Sequence, residues 1–129
     1  MDIKIGIKGS FKVNVDNSNT AKTMGSGTLE VFATPSMVAI MEKASTLALE
    51  PFLDDGSTTV GTVLNITHIS ATPVGMEVYA NAEVREDNGR EITFKVQAFD
   101  KCGLIGEGTH KRFIVFSEKF QQKANSKLM

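Results

Sequence analysis

One cysteine, two histidines, no excess of either charge and no long apolar run mark this 129-residue sequence, and each shortage closes off a class of function. A lone Cys102 cannot form an internal disulfide, and MDIKIGIKGS at the N-terminus lacks the apolar stretch of a signal peptide, so a reduced, cytoplasmic protein is expected. With 14 basic against 15 acidic residues, no strong field exists to hold a nucleic-acid backbone or an anionic membrane surface. No segment approaches the roughly 20 apolar residues that span a bilayer. His68, His110 and Cys102 are too few and too scattered to give metal-ligand spacing, so neither a metal nor another resident cofactor is expected. Asn65-Ile66-Thr67 matches a glycosylation acceptor, which carries no meaning without secretion.

What is present is enough for one core. The length suits a single domain over residues 1–129, with 41% hydrophobic residues. Residues 1–16 alternate loosely (Ile3, Ile5, Ile7, then Phe11, Val13, Val15), which suits an opening strand broken near Gly9. Residues 16–28 are polar with two glycines and read as a loop. Thr34-Pro35 then places a capping hydroxyl before the position where proline is favoured, and a helix from Pro35 to Glu50 follows. Met37, Ile40, Met41, Ala44, Leu47 and Ala48 line one apolar face. Val38, Ser45 and Leu49 form a second, mostly apolar flank with Glu42 in its middle, and Lys43 and Glu50 mark the wet strip. A helix apolar over most of its circumference needs a sheet or a second subunit around it.

Pro51 and Asp54-Asp55-Gly56-Ser57 end the helix, and residues 58–116 read as strands. Met76, Val78, Ala80, Ala82 and Val84 alternate with polar neighbours, and Asn88-Gly89 marks a hairpin into Ile92, Phe94, Val96 and Ala98. Asp100 to Gly103 makes another turn before Ile105 to Phe116. In the tail, Phe120, Ala124 and Leu128 fall on one line and Lys119, Lys123 and Lys127 on the next, which suits a short terminal helix. One strand, one long helix and a run of antiparallel strands make an α+β pattern with the helix on one face of a meandering sheet. A sheet curved around one helix is the hotdog arrangement, and other α+β folds share the pattern.

Few side chains carry chemistry. Any imidazole acid or base is His68 or His110, although a histidine near a strand end is by default a surface or hydrogen-bonded structural residue. The glycines of Gly106-Glu107-Gly108-Thr109-His110-Lys111-Arg112 leave room for close approach on one strand face. They lead into a strand and not a helix, so no phosphate cradle follows. Glu42 on a largely apolar helix must be protonated, paired or set in a polar pocket, where it can act as nucleophile or base; a plain surface ion pair is the alternative. Thr34 is an ordinary cap, or else the start of a helix whose free amides polarise a carbonyl oxygen. Cys102, in a turn beside Gly103, reads as an inert thiol. The lysines of the tail read as a solvated face before they read as a site for coenzyme A phosphates.

Taken together, several pieces resemble the fluoroacetyl-CoA thioesterase family and its wider thioesterase relatives: Val31-Phe32-Ala33-Thr34, Met37-Val38 with Glu42, Val60-Gly61-Thr62, Thr67-His68, Ala71-Thr72-Pro73, Gly106 through Arg112, and Glu118-Lys119-Phe120. They run colinearly from about residue 31 to residue 123. The resemblance implies a hotdog fold, an antiparallel sheet wrapped around one long central helix, assembled as a homodimer or a higher assembly of dimers. It further implies hydrolysis of an acyl-CoA thioester at the dimer interface, with Thr34, Glu42 and His68 as catalytic residues and Gly61 and Arg112 beside the acyl group. Coenzyme A enters only as part of the substrate. The family's aromatic-bearing lid precedes its threonine, whereas this chain has the polar stretch from Asp16 to Thr28, so a short or compact acyl group other than fluoroacetyl is expected. The alternative is a non-catalytic hotdog dimer that binds acyl-CoA or a related ligand. A hotdog dehydratase ranks last, because the helix carries no histidine.

Overall fold

A computed structural model describes residues 3–129. Strand β1 (Lys8–Asn14) leads through a one-turn helix, α1 (Ala21–Met24), to the long helix α2 (Thr34–Leu49) and a 3-10 turn (Glu50–Phe52). Four strands follow, β2 (Ser57–His68), β3 (Glu77–Asp87), β4 (Glu91–Asp100) and β5 (Gly103–Phe116), then helix α3 (Ser117–Asn125) and a final 3-10 turn. The sheet is antiparallel throughout, in the order β1-β3-β4-β5-β2.

The alternating registers of β3 and β4 put Val78, Ala80, Ala82, Val84, Ile92, Phe94, Val96 and Ala98 on the inner face, all buried. Met37, Ile40, Met41, Ala44 and Ala48 of α2 press onto it as the periodicity requires, while Leu47 is only half-buried. The helix lies mainly across β1 and β3, which leaves room on the β5–β2 half of the inner face for the polar residues Thr59, His110 and Arg112 beside Ile66 and Ile114. No described helix is long and apolar enough to cross a membrane.

Four expectations change. Gly9 does not break β1 but pairs with Ala82 inside it; a Cβ there would sit 2.2 Å from the Ala44 carbonyl oxygen, so the glycine lets α2 settle directly on strand backbone. The opening of residues 1–16 as a strand shortens to β1, and residues 1 and 2 lie outside the described residues. The polar stretch 16–28 contains α1, capped by the Thr20 hydroxyl at the Thr23 amide and stopped by Gly25 at φ +76°. Of the second flank of α2, Ser45 and Leu49 are already buried by their own chain, so that flank no longer calls for a second subunit. The hairpin at Asn88-Gly89 forms as expected, with Gly89 at φ +84°. The tail is helical, but Phe120 and Leu128 remain exposed, at 45% and 91%.

Candidate active site

The start of α2 and the end of β2 meet. The Thr34 hydroxyl shares a 2.7 Å hydrogen bond with Nδ1 of His68. The helix cap is Ala33 and no side chain caps the helix start, which corrects the reading of Thr34 as the cap and frees its hydroxyl for the imidazole. Nε2 of His68 is enclosed and has no hydrogen-bond partner among the described residues. Burial pushes the His68 pKa below the ordinary imidazole value, against the pull of the Ser70 backbone carbonyl. A cavity of about 270 Å³ opens over the pair, walled by Ala21, Ser26, Val31, Phe32 and Ser70. A larger depression of about 370 Å³ lies on the outer sheet face among Lys8, Ser10, Asn81 and Lys95, away from both histidines.

The backbone on either side of the pair is tied down. The Phe32 amide donates to the Thr72 carbonyl at 2.8 Å, Val31 bridges Pro73, and the Ile69 amide donates to Ile105 at 2.7 Å. The Thr72 hydroxyl donates to Asp100 at 2.8 Å, and the other carboxylate oxygen of Asp100 accepts the Cys102 amide at 2.8 Å. Asp100 was not singled out from sequence, yet its signal was there: it continues the inward register of Ile92, Phe94, Val96 and Ala98 as a buried acid.

A second polar cluster occupies the β5–β2 half of the inner face. Oε2 of Glu42 lies 3.6 Å from Nη1 of Arg112; the arginine side chain is 8% exposed and the glutamate 41%. Arg112 donates from Nε to the Thr59 hydroxyl at 2.8 Å, from Nη2 to the Thr59 carbonyl at 3.0 Å, and from Nη1 to Nε2 of His110 at 3.1 Å. A Cβ on Gly61 would fall 2.7 Å from the Glu42 carboxylate, so this glycine makes the space in which the acid lies. It stands at a bulge, where β2 slips one residue against β5 between Gly61 and Val63. Glu42 is thus a paired, half-exposed acid and not one sealed in an apolar pocket.

Within one chain the two clusters stay apart. Eight residues of helix separate Thr34 from Glu42, a rise of about 12 Å. Seven residues of strand separate Gly61 from His68, roughly 23 Å. No hydrogen bond or ion pair joins Glu42 to His68 among the described residues. Cys102 is exposed, and no group of three or more metal-binding side chains occurs among the described residues.

Residues 15–118 match the model of the fluoroacetyl-CoA-specific thioesterase family. The chain is 43% identical over 98 residues to the fluoroacetyl-CoA thioesterase of Streptantibioticus cattleyicolor, covering 76% of this chain and 70% of that protein. The solved structure of fluoroacetyl-CoA thioesterase superposes with a TM-score of 0.92 at 34% identity, covering 98% of both chains, and a variant of that enzyme has been solved with acetyl-CoA. A thioesterase superfamily member from Thermus thermophilus matches at a TM-score of 0.89 and 27% identity over 97% of this chain and 93% of its own. A hot-dog-like protein from Thermanaerovibrio acidaminovorans, 18% identical over 97% of this chain and 93% of its own, shares the fold at 0.86. The sheet curved around α2 is therefore the hotdog fold, and the chain belongs to the fluoroacetyl-CoA-specific thioesterase family.

Proposed function

We propose that this chain hydrolyses an acyl-CoA thioester with a short or compact acyl group, at a site made of Thr34, Glu42 and His68. A thioester hydrolase is what membership of the family supports. The observation that carries the site reading is the 2.7 Å bond between Thr34 and His68 at the mouth of a cavity beside an uncapped helix start. Free amides of the first turn of α2, with the Thr34 hydroxyl, hold the carbonyl oxygen where negative charge develops. His68, kept neutral by burial, moves a proton to the departing thiolate or from water. Glu42 supplies the carboxylate, either attacking the carbonyl to give an acyl-enzyme anhydride or deprotonating a water. Arg112 balances that charge, and Gly61 leaves room for the acyl group beside it. Coenzyme A is part of the substrate, and no other cofactor takes part.

The separation of the two clusters argues for assembly. β2 is a 12-residue edge strand whose outer edge pairs with no strand among the described residues, and Val63 and Ile69 near it are 46% and 60% exposed. A two-fold dimer that pairs β2 with its own copy covers that edge and builds each site from the Thr34–His68 half of one protomer and the Glu42–Arg112 half of the other. The protein works in the reducing cytoplasm, where exposed Cys102 stays a thiol.

Thiol release measured over a panel of acyl-CoAs tests the reading. Turnover that collapses in Glu42→Ala supports it; tight binding of the whole panel without turnover, or a Glu42→Ala variant as fast as the parent, refutes it.

A further inference from the structure

Two polar residues face inward on β5 where the pattern of β3 and β4 would place apolar ones. His110 is 1% exposed and Arg112 6%. A buried guanidinium keeps its charge and needs a partner for each donor. Thr59 takes two of them and His110 a third, from the same Nη1 that faces Glu42. The histidine has no freedom in how it does this. Its Nδ1 lies 2.8 Å from the Val63 carbonyl, which only accepts, and its Nε2 faces a guanidinium, which only donates. The proton therefore sits on Nδ1 and the ring is neutral. Burial lowers its pKa first, with Arg112 adding to this and the Val63 carbonyl and Glu42 opposing. Phe94 stacks beside the ring at 6.1 Å between centroids and holds its plane.

We propose that His110 is a positioning residue for the hydrolysis: its Nε2 lone pair sets the direction of Nη1 of Arg112, and Nη1 in turn sets the Glu42 carboxylate above Gly61. This rests on the reading of Glu42 as the reacting acid. The ring also ties β5 to the bulge of β2 through the Val63 carbonyl, a purely structural contact on the opposite edge of the same ring. The two jobs belong to different nitrogens, so they separate by substitution. Asparagine places its amide donor near Nδ1 and offers nothing at Nε2; glutamine reaches the Nε2 position with an acceptor oxygen.

The experiment is steady-state hydrolysis of the best acyl-CoA of the panel by the full chain and its His110→Asn, His110→Gln and Glu42→Gln variants. His110→Asn is expected to lose kcat roughly 30- to 100-fold with KM within about twofold, as a misplaced reacting group does. His110→Gln is expected to recover kcat to within about fivefold of the parent. Asparagine and glutamine falling together, or His110→Asn turning over at the parent rate, overturns the proposal. A parent-like Glu42→Gln overturns the reading of Glu42 along with it, whereas an inactive Glu42→Gln beside a fully active His110→Asn overturns the role of His110 alone. Nitrogen-15 shifts of the His110 ring in the parent protein at neutral pH give a readout that needs no folded variant: a proton on Nδ1 alone supports the arrangement, and one on Nε2 overturns it.

Discussion

Mixing two dead variants should restore activity. If each site takes Glu42 from one protomer and His68 from the other, a dimer of one Glu42→Gln chain and one His68→Ala chain holds one site with both lesions and one with neither. The geometry sets this expectation. Antiparallel pairing of β2 (57–68) with its own copy about its middle brings the His68 end of each strand beside the Thr59–Gly61 end of the other. Adjacent strands lie about 5 Å apart, against roughly 23 Å along one strand from Gly61 to His68. Heterodimers isolated through two different affinity tags should therefore hydrolyse at about half the parent rate per dimer, while each homodimeric variant runs at least a hundredfold slower. Heterodimers no faster than the two homodimers would show that both residues act from the same chain. Sedimentation as a monomer at micromolar concentration would remove the premise.

Thr34→Val removes the hydroxyl shared with His68 but no helix cap, so kcat should fall about 10- to 100-fold. Stability measured by thermal melting should stay within about 0.5 kcal/mol, and a larger loss would mean that the hydroxyl does cap the helix. Gly61→Ala and Gly9→Ala should separate in opposite ways. The first meets the movable end of Glu42 and should cost mostly kcat; the second meets the backbone of α2 and should cost about 1–3 kcal/mol in chemical denaturation with kcat kept. Both histidines have folded-state pKa values pushed below 6.5 by burial, so the unfolded chain takes up their protons first as pH falls. Their contribution to stability is thus complete above pH 6.5 and drains away below it, down to the folded-state values. Melting temperatures followed from pH 8 to pH 5 should decline below about 6.5 and decline less in His68→Gln; an unaltered slope in that variant would count against a half-buried neutral ring.

Periodicity made α2 and the β3–β4 hairpin legible, because buried faces repeat every three to four residues or every two. It had no purchase on α1, whose four residues are too few for a repeat. Nor could it decide what Gly9 makes room for, since a gap in a strand reads alike whether it bends the chain or admits a helix. Taken residue by residue, Thr34 and His68 are separate candidates; the family resemblance joins them with Glu42, and the fold closes the 34-residue interval into a hydrogen bond. His110 and Arg112 are both named from the sequence, but their burial is not legible there, for a different reason. Polar residues at inward positions look like surface until the strand they occupy is known to lie in the interior, and the same holds for Asp100.

The cavity over Thr34 and His68 is walled by two kinds of chain. One wall belongs to a loop with a single turn of helix and a left-handed glycine, held by a few backbone contacts; Thr34 and His68 themselves stand on a long helix seated against strand backbone and on a strand locked in the sheet. Selection can redraw the first without touching the second. If Thr34 and His68 react as proposed, choice of acyl group and power to cleave are inherited separately, and relatives that share this frame are free to part company over what they accept.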